Sequence, residues 1–153
     1  MSEIVAVLVN VRSVYNVGSI FRTADAAGVS KIYLVGITPS PVDRLGNLRS
    51  QFSKVALGAE KSVVWEKIAV SPSAQKKLFK KLKSEGYLIY AVEQERNAIP
   101  FHRVRPRVKN KKIALIFGNE VRGLPSSILK QAVQVLEIPM YGKKESLNVA
   151  VAF

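Results

Sequence analysis

The rhythm of apolar residues most constrains what this chain can fold into. Short apolar runs alternate with segments whose apolar residues fall at helical spacing. Ile4–Val9, Ile32–Val35, Tyr87–Val92, Ile113–Phe117 and Val133–Ile138 predict strands, and Val63–Trp65 a shorter one. Several of these runs lack polar alternation, as strands buried on both faces do. Between them, Val17–Ala27 places Ile20, Phe21, Ala24 and Ala27 on one helical face, with Gly28 as a stop. Ser71-Pro72 opens a helix running to about Ser84 that buries Leu78, Phe79 and Leu82. Arg49–Ala56 and Ser126–Ala132 predict short helices, and Ser146–Phe153 a last one, while Thr38–Leu48 holds Pro39, Pro41 and Gly46 and reads as loop. Strands separated by helices make an α/β fold: a mainly parallel sheet flanked by helices, in a single domain over residues 1–153.

Charge narrows the partners. The chain carries 24 Lys and Arg against 11 Asp and Glu, a formal net charge of +13 that attracts polyanions. Nucleic acid is the first candidate, an anionic membrane surface the second, and a plain basic surface the third. The absence of cysteine excludes disulfides, thiol catalysis and cysteine-bound zinc. A single His102 argues against a histidine metal site or a Ser-His-Asp triad, so no metal is expected. No basic stretch precedes the first apolar run, and no run approaches the roughly 20 apolar residues that span a bilayer. The expectation is a soluble cytoplasmic protein without membrane contact.

A parallel sheet invites a nucleotide-loop reading, which fails. No GxGxxG occurs, and Gly118 to Gly123 has phosphate-loop spacing but continues as Leu124-Pro125, without the lysine and hydroxyl that grip phosphate and magnesium. Three unusual segments remain, all at predicted strand ends, where ligands of open α/β sheets collect. In the first, Asn16, Gly18 and Arg22 open a helix. Read locally, Asn16 is its N-cap and Arg22 a solvated residue; read functionally, Arg22 clamps a phosphate. The second, Gly118-Asn119-Glu120-Val121-Arg122-Gly123-Leu124, is either a strand-to-helix turn or a close backbone approach to a ligand. In the third, Ile138-Pro139-Met140 precedes Ser146-Leu147-Asn148-Val149. Ser146 there reads as an N-cap, and Asn148 as an amide that needs partners if buried.

Taken together and in this order, the segments resemble the SpoU/TrmH branch of the SPOUT methyltransferases, over essentially the whole chain. The resemblance implies ribose 2′-O-methylation of tRNA or rRNA with S-adenosylmethionine as methyl donor. It also implies a deep C-terminal trefoil knot, which pattern rules do not suggest because knots are rare, and a homodimer with the active site at the subunit interface. By similarity, the cofactor contacts fall at Val92, Gly118, Ile138, Met140 and Leu147. The catalytic set becomes Arg22, Asn16, Ser146, Glu120 and Asn148. Arg22 serves the reacting hydroxyl and an RNA phosphate, Asn16 and Ser146 position, and Glu120 and Asn148 brace the loops. Many relatives carry an added RNA-binding domain, and none is expected within residues 1–153. RNA contacts are therefore expected from Arg22, from Arg103, Arg105, Arg107 and Lys109, and from the lysines at 76–83, with Phe101 or His102 stacking on a base. A catalytically silent RNA-binding protein of the same fold is the alternative.

Overall fold

The computed structural model describes residues 3–104 and 112–153. Arg105, Arg107 and Lys109 lie outside the described residues. Among those described, seven strands form one sheet: β1 (Glu3–Val9), β2 (Lys31–Val35), β3 (Val64–Ile68), β4 (Tyr87–Val92), β5 (Ile99–Pro100), β6 (Lys112–Phe117) and β7 (Gln134–Glu137). Their order is β3-β2-β1-β6-β4-β7-β5, and every pairing between them is parallel. The later strand β6 therefore lies between the earlier strands β1 and β4, with Val7 opposite Ile116 on one side and Ala91 opposite Ile116 on the other.

The unbroken apolar run of β1 is explained by burial on both sides. Val5, Val7 and Val9 face one core, with Ile89, Ala91, Ala114 and Ile116. Helix α4 (Pro72–Ser84) covers it with Leu78, Phe79 and Leu82, and the single turn α5 (Ser126–Leu129) adds Ile128. Ala6 and Leu8 face the other core, closed by α1 (Val14–Ala27), α2 (Ser50–Ala56) and α3 (Ala59–Ser62). Phe21 meets Phe52 edge to face with centroids 5.0 Å apart. Gly18 allows this closeness, because a Cβ there would lie 2.4 Å from Val55 Cγ2 and 3.0 Å from the Phe52 carbonyl oxygen.

The element boundaries differ from expectation where capping chemistry decides. Helix α1 starts a turn early: Ser13 is its N-cap, and Ser13 Oγ accepts from Asn16 N at 3.2 Å. The Asn16 side chain is thereby left free for other partners. The last helix, α6 (Val149–Ala152), is capped by Asn148 rather than Ser146. Asn148 Oδ1 accepts from Ala150 N at 2.9 Å while its Nδ2 donates to Asn16 Oδ1 at 3.1 Å. The amide accepts through its oxygen and donates through its nitrogen at the same time. Strand β3 reaches further than the apolar run, because Glu66 and Lys67 on this edge find partners: Glu66 pairs with Lys31 at 2.6 Å, and Lys67 Nζ donates to the Gly36 and Thr38 carbonyls. Helix α3 and strand β5 were not expected. Pro100 in β5 is tolerated because that strand lies at the sheet edge.

Candidate active site

Three loops converge where β4, β6 and β7 end, and they enclose a cavity of about 160 Å3. Val92 and Glu93 reach it from β4, Phe117 and Gly118 from β6, and Ile138 from β7. Leu147 and Val149 close it from the start of α6. The loop after β6 turns back on itself: Gly123 N donates to the Asn119 carbonyl at 2.9 Å, and Asn119 Oδ1 accepts from Val121 N and Arg122 N at 2.9 Å each. Gly118 is required at the base of this turn. A Cβ there would come within 2.7 Å of the Gly123 carbonyl carbon and 2.8 Å of Leu124 N. Glu93 then pins the turn, with Oε2 accepting from Leu124 N at 2.8 Å. Gln94 Nε2 donates to the Ile138 carbonyl at 2.7 Å and so ties the end of β4 to the end of β7.

The same loop is fastened to the start of α1 by Glu120. Its carboxylate accepts from Arg12 N at 3.2 Å, Ser13 N at 3.4 Å and Asn16 Nδ2 at 3.1 Å. These donors precede or open the helix, where a negative charge is favoured by the helix dipole and by unpaired amides. Burial opposes ionisation of Glu120. Hydrogen bonds from its own backbone amide, Asn16, Arg12 and Ser13 outweigh that and hold the carboxyl below the usual carboxylate range. Asn16 therefore sits at the centre of a polar chain, Glu120–Asn16–Asn148, that joins the start of α1 to two segments more than 100 residues away in sequence.

The predicted residues fall into three groups. Asn16, Glu120 and Asn148 are joined by hydrogen bonds, and Glu120 and Ser146 line the cavity. Val92, Gly118, Ile138 and Leu147 also line it, whereas Met140, half-buried, does not. Arg22 is not brought to the cavity. It is exposed on α1, six residues and about 9 Å along the axis from Asn16, and turned to another face. Arg103 is exposed in the 3-10 turn Phe101–Arg103, where the Phe101 and His102 rings stand edge to face at 5.7 Å. Glu93, Gln94 and Asn119 escaped the sequence reading. The signal for Glu93 was its place directly after Val92 at a strand's carboxyl end. Among the described residues, no group of three His, Asp or Glu side chains could hold a metal ion, and no helix is long and apolar enough to cross a membrane.

Comparison with known proteins places this geometry in a family. Residues 3–153 match the SpoU rRNA Methylase family. The chain is 31% identical over 150 residues to the tRNA (guanosine(18)-2'-O)-methyltransferase of Thermus thermophilus, a match spanning 98% of this chain and 70% of that protein. It is 32% identical over 140 residues to the 23S rRNA (guanosine(2553)-2'-O)-methyltransferase RlmP of Bacillus subtilis, spanning 90% of this chain and 49% of that protein. The crystal structure of the AdoMet-bound rRNA methyltransferase from Sinorhizobium meliloti aligns with a TM-score of 0.83 at 29% identity, over 98% of this chain and 52% of that one.

Proposed function

The chain belongs to the SpoU rRNA methylase family, and from that membership we propose that it transfers the methyl group of S-adenosylmethionine to a ribose 2′-hydroxyl of tRNA or rRNA in the cytoplasm. The observation that carries the reading is the polar chain Glu120–Asn16–Asn148 beside a cavity framed by three strand ends. The cavity wall suits the cofactor by its chemistry. Val92, Ile138 and Leu147 offer apolar faces to a purine, and the carboxylates of Glu93 and Glu120 favour a sulfonium cation. Val92, Gly118, Ile138 and Leu147 would hold it.

When bound, the cofactor supplies an electrophilic methyl group on a positively charged sulfur. The protein's own task is to bring the ribose hydroxyl in line and to stabilise it as its proton leaves. Asn16 and Ser146 position the ribose, while Glu120 and Asn148 keep the loops in register. Arg22 acts as a cation that stabilises the developing alkoxide and fixes an RNA phosphate, while the hydroxyl proton passes to solvent.

Because Arg22 stands away from the cavity of its own chain, the complete site in this reading is a homodimer's, with the Arg22 face of α1 of one protomer turned to the cavity of its partner. An apolar groove of about 370 Å3 beside the cavity supports burial of this face. Ile113, Leu115, Tyr90 and Leu136 line it from the sheet, with Phe101 and the end of α6 at Ala152 and Phe153 at its rim. The position of β6 between β1 and β4 is the arrangement a C-terminal trefoil knot would use.

Transfer of labelled methyl from S-adenosylmethionine to bulk tRNA and rRNA tests the reading. Incorporation into alkali-resistant dinucleotides, lost in Arg22→Ala while the cofactor still raises the melting temperature, is the expected result. Unimpaired transfer by Arg22→Ala would overturn the role of Arg22, and no cofactor-induced shift in the unsubstituted protein would overturn the enzyme reading.

A further inference from the structure

On the opposite face of the sheet from α1, helices α4 and α5 leave a groove of about 460 Å3 between them. Three lysines line it from α4: Lys76, Lys80 and Lys83. Their i, i+4, i+7 spacing forms a single row about 10 Å long. Ser127 and Gln131 form the facing wall, and Lys83 Nζ donates to Gln131 Oε1 at 2.9 Å across it. No carboxylate lines the groove, and helix α4 contains no Asp or Glu at all.

The fold alone gives no reason for this arrangement. Lys76 with Lys80, Lys77 with Lys81, and Lys80 with Lys83 are like-charge neighbours on one helix, and each pair costs helix stability. The packing face needs only Leu78, Phe79 and Leu82, which are buried. A purely structural helix would intersperse acids on its outer face. None of the three groove lysines is in an ion pair among the described residues, whose two ion pairs are Lys31–Glu66 and Lys112–Glu3.

The groove also adjoins the candidate active site through the chain itself. Helix α4 begins just after the carboxyl end of β3, and the cavity opens at the carboxyl ends of β4, β6 and β7 in the same sheet. Gly118 to Gly123 wall the cavity, buried Leu124 follows, and Ser127, Ile128 and Gln131 wall the groove. We propose that the α4–α5 groove is a second RNA contact, in which Lys76, Lys80 and Lys83 take successive backbone phosphates of the strand flanking the target ribose. Lysines are compact point charges on flexible stems, so the grip is independent of sequence. It rests on the reading that the substrate is RNA, and it supplies substrate hold from within this domain.

The experiment measures binding of bulk tRNA and rRNA at a series of salt concentrations. A groove variant, Lys76→Gln, Lys80→Gln and Lys83→Gln, is set against a control that removes the same charge elsewhere, Arg44→Gln, Lys54→Gln and Lys61→Gln. Each lost phosphate contact lowers the slope of log K against log salt by roughly 0.7–0.9, so the groove variant is expected to lose about 2 from the slope and at least about tenfold in affinity. The control should lose little, and the cofactor-induced thermal shift should persist in both. Arginine at the same three positions should restore the slope, since charge rather than shape carries the contact. A groove variant no weaker than the control, with RNA bound and methylated normally, overturns the groove and leaves the enzyme reading standing. An unsubstituted protein that binds no RNA overturns both. Lysine-dependent binding to phosphatidylserine vesicles, without RNA binding, would reassign the groove to membranes.

Discussion

At and near the amino ends of the strands, carboxylates meet side chains. Tyr87 Oη donates to Glu3 Oε1 at 2.5 Å, Lys112 Nζ lies 3.7 Å from Glu3 Oε2, and Lys31 pairs with Glu66 at 2.6 Å. At the carboxyl ends, carboxylates meet backbone. Glu93 accepts from Leu124 N and Gln94 N, and Glu120 accepts from Arg12 N and Ser13 N. The chemical group is the same and the consequence differs. A lost side-chain pair returns two flexible groups to water. A lost backbone acceptor strands amides that cannot move without moving their loops. One edge trims stability; the other holds the shape of the cavity.

The largest expected effect comes from removing the central backbone acceptor. Glu120→Ala leaves Arg12 N, Ser13 N and the Asn16 amide without their partner, and the polar chain to Asn148 loses its anchor. Methyl transfer should fall about 100-fold or more, against a stability loss of about 1 kcal/mol, since the freed donors are only partly buried and water takes them up. Comparison of kcat/KM with the urea midpoint checks it. If the two fall in proportion, the carboxyl edge is no different from the amino edge.

Gly118→Ala comes next. Its Cβ would press on the Gly123 carbonyl carbon and on Leu124 N, backbone atoms that cannot rotate away. Overpacking of this kind costs about 1–3 kcal/mol. Because the strain falls on the cavity loop, the cofactor-induced thermal shift should shrink more than the melting temperature itself. An undiminished shift would mean that the loop relaxes without affecting the cavity.

These contrasts mark how far the sequence could be read. The continuous apolar runs of β1 and β6 announced a parallel sheet because burial on both faces removes polar alternation. Charged Glu66 and Lys67 concealed the far half of β3, since their partners Lys31, Gly36 and Thr38 come from elsewhere in the chain. The insertion of β6 between β1 and β4 was not legible in periodicity, which carries no information on strand order. At the site, Asn16 was visible as a helix-start residue. Its true task depends on Glu120 and Asn148, both over 100 positions away, and on Ser13 having already capped the helix. Glu93 was missed because an acid after a strand looks like any solvated loop residue until the amide it serves is known.

A third, smaller effect follows from protonation. The folded state holds the Glu120 carboxyl below its ordinary value of 4.5. Its contribution is therefore fully present above that value and is lost as pH falls through the depressed one. As pH falls below 4.5 towards the depressed value, cofactor binding should weaken before global unfolding, and Glu120→Gln should remove that step. Coincident losses of binding and fold would place the acid-sensitive group outside this loop.

The smallest effect belongs to the amino edge. In the Lys31–Glu66 pair the lysine side chain is 25% exposed and the glutamate 42%, so solvent screens much of the attraction. The hydrogen bond from Lys31 holds the Glu66 carboxyl below its ordinary range, and despite burial the same bond raises the lysine above its own. Between those limits the pair is intact at neutral pH, and exposed pairs of this kind contribute about 0–1 kcal/mol. Glu66→Gln, which keeps an acceptor for Lys31, should shift the urea midpoint by no more than that. It should leave methyl transfer and the cofactor-induced thermal shift unchanged, because β3 lies at the far edge of the sheet from β4 and β7. A fall in activity would mean that the amino edge is coupled to the cavity through β2 and β1, and the division of labour between the two edges would fail.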